Sequence, residues 1–332
     1  MGKLGEVLPL GDHGSLHVTL EQTTVQCGGS LTGAVHLNVT KPLDVKLLGV
    51  EIDGKERIQW EESSHDGIRK HIKEHTFLNE TVTLVSSPSV TSSLTIEQGN
   101  YTHPFTFQVP TALTPTLAYK SWQVEGLESV HVYVEYSLTV KFALSGPLNT
   151  TVKWSVPFTV EPEAASGPAA VQSKGVSAST SQSVRSMGII NRGTCHVRME
   201  LDSEIQDATS PIQVRVIIEN ASKQSLKLVD LKLYEDAYIT GTNEPHRSSR
   251  VVCARRFDRP SIKDEPMLKL SLPVLPNDLY QYQPILPTMA THFIPSLGYR
   301  VVVECSLASS SKTKVSAPIR IVRRPGLQPL AS

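Results

Sequence analysis

The chain has 332 residues, of which 39% are hydrophobic and 19% charged, and its 32 basic and 32 acidic residues cancel. That length exceeds what one hydrophobic core usually fills, so two domains are expected. The neutral balance excludes a global field that would steer the chain to nucleic acid or an anionic membrane.

The opening residues contain no apolar core of signal-peptide length, and no run long enough to span a bilayer follows. The expected location is therefore cytoplasmic. Cys27, Cys195, Cys253 and Cys305 are scattered without CxxC pairs or ligand-spaced histidines, which reads as free thiols and no metal. Asn38, Asn79, Asn100, Asn149 and Asn220 begin glycosylation sequons. They are read as chance products of a Ser/Thr-rich β sequence.

In chain order, apolar residues alternate with period two over 15–22 and 31–39, the pattern of strands with one buried face, and a strand carrying charges, VEIDGKERIQW, occupies 50–60. A basic, His-rich stretch, HDGIRKHIKEH at 65–75, follows and is expected to be a hairpin loop. THPFTFQVP at 102–110 is a strand stopped by proline, a device suited to a chain leaving one sheet for another. Strands at 131–142 and 155–160 close the first half, the latter carrying Pro157.

A Ser-, Ala- and Gly-rich stretch follows, read as a linker or mobile loop over 163–189. The second half then repeats the order: IQVRVIIEN at 212–220, VDLKLYEDAYI at 229–239, the polar loop with RVVCARRFDRP at 250–260, YQYQPILP at 280–287, YRVVVEC at 299–305, and SAPIRIV at 316–322. No long amphipathic helix interrupts it. The fold class expected is all-β, with two tandem antiparallel β-sandwiches of immunoglobulin-like type over 1–162 and 190–324, and a short tail over 325–332.

The ordered set GAVHLNV, VKLLGVEIDGKERIQW, GNYTHPFTFQVP and VYVEYSLTVKF, followed by GTCHVRMELD, IQVRVIIENAS, IPSLGY and RVVVEC, resembles the arrestin fold and within it the α-arrestins. The resemblance covers about 14–162 and 190–324. It implies a non-enzymatic adaptor that links membrane-protein cargo to endocytic or endosomal machinery by gripping cytosolic segments of the cargo. It also admits a constitutive scaffold subunit, like the arrestin-fold subunit of the retromer coat. An extracellular β-sandwich adhesin that uses the sequons is the reading from another class.

The sequence departs from α-arrestins in having no PPxY motif, so ubiquitin machinery is expected to be reached by another contact. It departs from visual and β-arrestins in having Lys3 alone where paired lysines feed a phosphate switch. Glu6 stands where a myristoylation signal wants Ser or Thr. No GxSxG, HExxH, P-loop or GxGxxG occurs, so neither enzyme activity nor a cofactor is expected. Candidate contacts for acidic cargo or phosphate are Arg69, Lys70 and Lys73 in the first half and Arg255 and Arg256 in the second. His71 and His75 would share a metal only on a helix or in a special loop. The binding mode expected is strand addition along an exposed sheet edge.

Overall fold

The computed structural model describes residues 7–87, 93–122, 124–145, 151–162, 174–186, 190–222, 224–258, 267–274, 285–308 and 312–322. These residues are strands and turns, with one short 3-10 helix, Gly11–His13. The first half holds β1 (Leu8–Pro9), β2 (Gly14–Leu20), β3 (Thr24–Gln26), β4 (Ser30–Val39), β5 (Leu43–Ser64) and β6 (Gly67–Ser86). It continues with β7 (Leu94–Ile96), β8 (Gly99–Gln108), β9 (Leu117–Ser121), β10 (Ser129–Leu144) and β11 (Thr151–Glu161). The second half holds β12 (Val176–Ser186), β13 (Ile190–Leu201), β14 (Ile205–Asp207), β15 (Ile212–Asn220) and β16 (Leu226–Ile239). It ends with β17 (His246–Asp258), β18 (Met267–Leu272), β19 (Ser296–Leu307) and β20 (Lys312–Val322).

Four sheets form two sandwich-like bodies. The first pairs a sheet ordered β1-β2-β4-β8 with one ordered β3-β11-β10-β5-β6; the second pairs β12-β13-β15-β18 with β14-β20-β19-β16-β17. Strand for strand, the second order reproduces the first, so the repeat read from the sequence is a repeat of topology. The short parallel pairings repeat too. Thr159–Glu161 of β11 lies beside β3, and Arg320–Val322 of β20 lies beside β14.

The prolines sit where a sheet tolerates a missing donor. Pro104 lies in β8, the last strand of its sheet, opposite Ala34. Pro157 and Pro318 each fall just before the parallel pairing begins, with Ser137 and Arg300 opposite on the other side. After β8 stops, the chain enters the partner sheet through β9, which pairs with β10. The corresponding stretch at 280–284 lies outside the described residues.

Gly14 is the first residue of β2, and Gly193 lies near the start of its equivalent, β13. Both have positive φ, 124° and 116°. A Cβ would stand 1.9 Å from the Asn38 carbonyl oxygen at the first and 2.5 Å from that of Ala221 at the second. Only glycine satisfies both the angle and the approach.

The stretch read as a linker needs correction. Within 163–189, Val176–Ser186 is a strand paired along its length with β13. Composition misled here because the residues are small and polar, while the hydrogen bonds that fix them come from a neighbouring strand. Its apolar alternation is faint, with Val184 buried and Val176 and Ala178 half-buried.

The chain divides into two compact units: Met1–Gln59 with His71–Tyr119 and His131–Ala164, and Trp60–Lys70 with Lys120–Val130 and Ala165–Ser332. The second unit thus takes in two pieces of the first half of the sequence. Inside it, the Glu128 N–H donates to the Glu61 carbonyl at 2.9 Å, and Arg250 donates to the Lys120 carbonyl at 2.9 Å. Val197, Met199, Leu231, Val301, Val303 and Cys305, each with no exposed surface, are among the residues that form its core.

Candidate protein-binding surface

Alternation along β5 places Val50, Ile52 and Ile58 in the core of the first unit and turns Glu51, Asp53, Lys55 and Arg57 to the opposite face. Neighbouring strands complete a charged lattice there. Arg57 pairs with Glu135 of β10 and lies 3.7 Å from Glu74 of β6. Lys141 pairs with Glu51, and the Asn79 amide donates to Glu51 at 2.8 Å and to Asp53 at 2.6 Å. The Lys141 hydrogen bond, followed by that of Asn79, holds the Glu51 carboxyl below its ordinary value against the opposing effect of burial.

This face contains a cavity of about 570 Å³ whose lining includes Arg57, Glu74, Glu135, Tyr136, Pro157 and Phe158. Its apolar side rests on an aromatic cluster: the Tyr136 ring is 5.6 Å from Phe158 and meets Phe77 edge-on at 5.7 Å. The Tyr136 hydroxyl donates to the Thr114 carbonyl. Burial, with Cys27 adding to it, pushes the phenol well above its ordinary value. The phenol is therefore fixed as a neutral donor, unsuited to proton transfer near neutral pH. An apolar floor under a rim of mutually paired charges suits side chains of a bound segment.

At the side of this face the sheet ends on β6, and among the described residues no strand pairs with the far edge of β6. That edge offers backbone donors and acceptors along a strand of 20 residues. The expected hairpin loop at 65–75 is instead a hairpin drawn out into long strands, β5 and β6, turning at residues 65–66. Arg69, Lys70 and Lys73 lie near the start of β6 and are exposed. Arg69 reaches Asp66 at 3.5 Å and Lys70 reaches Glu61 at 3.2 Å, both with mostly exposed cations. Such pairs contribute roughly 0–1 kcal/mol each and exchange readily for another anion. On alternate positions His71 and His75 are half-buried, with His75 tilted against Phe77 at 6.4 Å. No group of three or more His, Cys, Asp or Glu among the described residues is arranged to hold a metal.

The second basic cluster divides by role. Arg256 makes a two-pronged contact to Asp230, at 2.8 and 3.4 Å, which pushes the guanidinium above its ordinary value. Arg255 donates to the Ser271 carbonyl at 3.1 Å and lies 5.1 Å from the Phe257 ring. Arg250, from the same motif, is structural: its Nε donates to Glu235 at 2.7 Å, and Glu235 is 2% exposed. Arg259 lies outside the described residues. The first basic trio is thus local to one strand start, while Arg255 and Arg256 belong to another sheet.

Reasoning from sequence did not identify Arg57, Glu135 and Glu74 as one constellation. The alternation of charges in EIDGKER was the available signal, but the partners come from β6 and β10, 17 and 78 residues away.

Residues 17–163 match the family described as arrestin (or S-antigen), N-terminal domain. Over 150 residues, the chain is 23% identical to an arrestin domain-containing protein of Schizosaccharomyces pombe (strain 972 / ATCC 24843). That stretch is 44% of this chain and 24% of the yeast protein, so the chain spans about a quarter of the length of the relative it matches. No helix among the described residues is long and apolar enough to cross a membrane.

Proposed function

We propose that this chain, whose residues 17–163 match the arrestin N-terminal domain family, is a non-enzymatic adaptor that links membrane-protein cargo to endocytic or endosomal trafficking machinery. Arrestins generally act as trafficking adaptors without enzymatic activity, and the cargo role is the finer step taken here. The observation that carries it is the open edge of β6, long and basic at its start. An extended cytosolic segment of cargo adds a strand there, its backbone supplying affinity. Arg69, Lys70 and Lys73, near the start of that strand, select acidic or phosphorylated residues. Arg255 and Arg256 are a secondary contact of the same chemistry.

The test is proximity labelling with quantitative mass spectrometry on the tagged full chain, beside an Arg69→Glu/Lys70→Glu/Lys73→Glu variant. Membrane receptors or transporters are expected with the native chain and are lost with the variant. Recovery of coat subunits alone, in fixed stoichiometry and unchanged by the variant, overturns the cargo adaptor in favour of the scaffold.

A further inference from the structure

Strand β12 ends the sheet β12-β13-β15-β18, and among the described residues no strand pairs with its other edge. Sheet edges are ordinarily blunted by charge, proline, shortness or a bulge. Two other terminal strands here follow that rule: β8 carries Pro104, and β17 carries Arg255 and Arg256. Strand β12 does not. From Val176 to Val184 it has no charge and no proline, and its register shift comes only at Val184/Arg185.

The order of residues along that open stretch is nearly the same in both directions about Thr180: Val, Ser, Ala, Ser, Thr, Ser, Gln, Ser, Val. A two-fold axis through Thr180 that pairs two copies of the strand antiparallel sets Val176 against Val184, Ser177 against Ser183, and Ser179 against Ser181. Only Ala178 meets an unlike residue, Gln182. The exposed serines, Ser177, Ser179, Ser181 and Ser183, all stay on one face; on the other, buried Val184 meets half-buried Val176 and exposed Gln182 meets half-buried Ala178. This register also keeps charges apart, since Arg185 falls opposite Gly175 and Lys174 opposite Ser186. A neutral edge offers nothing to select an acidic or a basic peptide. A pattern symmetric about its centre is matched by its own copy.

We propose that β12 is a self-association edge, through which two copies of this chain pair antiparallel about Thr180 and join two four-stranded sheets into one continuous sheet. The surface covered by a single strand pairing is at the low end of specific interfaces, so the dimer is weak and forms with rising concentration.

Sedimentation of the full chain from about 1 µM to about 100 µM, where interfaces this small associate, reads the outcome. The native chain is expected to move from 36.4 kDa toward twice that mass. In this register Ser179→Lys/Ser181→Lys opposes like charges across the axis, as does Ser179→Glu/Ser181→Glu. Each double variant alone is expected to stay monomeric, and an equimolar mixture of the two is expected to dimerise. Restoration in the mixture also shows that both variants are folded. A native chain that stays monomeric, a double variant that dimerises like it, or a mixture that stays monomeric overturns the proposal.

Discussion

Replacing Arg250 with Met tests whether the buried ion pair of the second unit holds it together. Glu235 is 2% exposed and Arg250 10%, and the guanidinium Nε donates to the carboxylate at 2.7 Å. The Tyr299 hydroxyl lies 3.1 Å from the other carboxylate oxygen but also 2.8 Å from the Leu286 carbonyl, and its single proton serves one at a time. Methionine preserves most of the stem and removes the charge, leaving a carboxylate in the interior with one shared donor. Breaking a buried pair from one side costs about 3–5 kcal/mol, against about 0–1 kcal/mol for an exposed pair. The same change frees the Lys120 carbonyl, which Arg250 meets at 2.9 Å. At a urea dependence of about 2 kcal/mol per molar, the midpoint falls by roughly 2 M. Hydrogen exchange at β16 and β17 during urea titration localises the loss. Adding Glu235→Gln to the variant removes the stranded charge and should recover part of the loss. A single variant within about 1 kcal/mol of the native chain would refute the reasoning.

Three further outcomes follow from packing, backbone and protonation. Leu231→Ala, at a site with no exposed surface, should cost about 2–5 kcal/mol in denaturant unfolding, whereas Ile68→Ala, at 61% exposure, should stay within about 0.5 kcal/mol. Gly193→Ala adds a Cβ at 2.5 Å from a carbonyl oxygen at positive φ, and calorimetry should register a loss of about 1–3 kcal/mol. Burial pushes His36 and His103 below their ordinary value of 6.5, with His17 adding to the effect at His36. The unfolded chain therefore binds more protons between those lowered values and 6.5, so stability is full above 6.5 and falls as pH drops through that window. Melting temperature should decline from pH 7 to pH 5, and His36→Gln/His103→Gln should flatten the decline. Glu51 and Glu304, both held below 4.5 by hydrogen bonds from lysine, add a loss only at pH below 4.5.

Much of the candidate surface was open to reading residue by residue, and little of it as an arrangement. Arg69, Lys70 and Lys73 stand out in the sequence because they are consecutive or nearly so, and they do share one strand start. Arg250, Arg255 and Arg256 looked like one patch for the same reason. Alternation and a bulge at Val252 on β17 send them to different partners: buried Glu235, the Ser271 carbonyl and Asp230.

By itself the sequence determined that this is a β protein built twice on one plan, because period-two burial, turn glycines and strand prolines are properties of neighbouring residues. Tertiary structure alone decided that a Ser-rich stretch becomes β12, since its strand character is supplied by β13 across the ladder. It alone decided that 60–70 and 120–130 belong with the second unit, and that Glu235, Arg250 and Tyr299 meet. Those outcomes depend on contacts between residues far apart in the chain, and a local pattern of polarity holds no record of which distant strand will supply the partner.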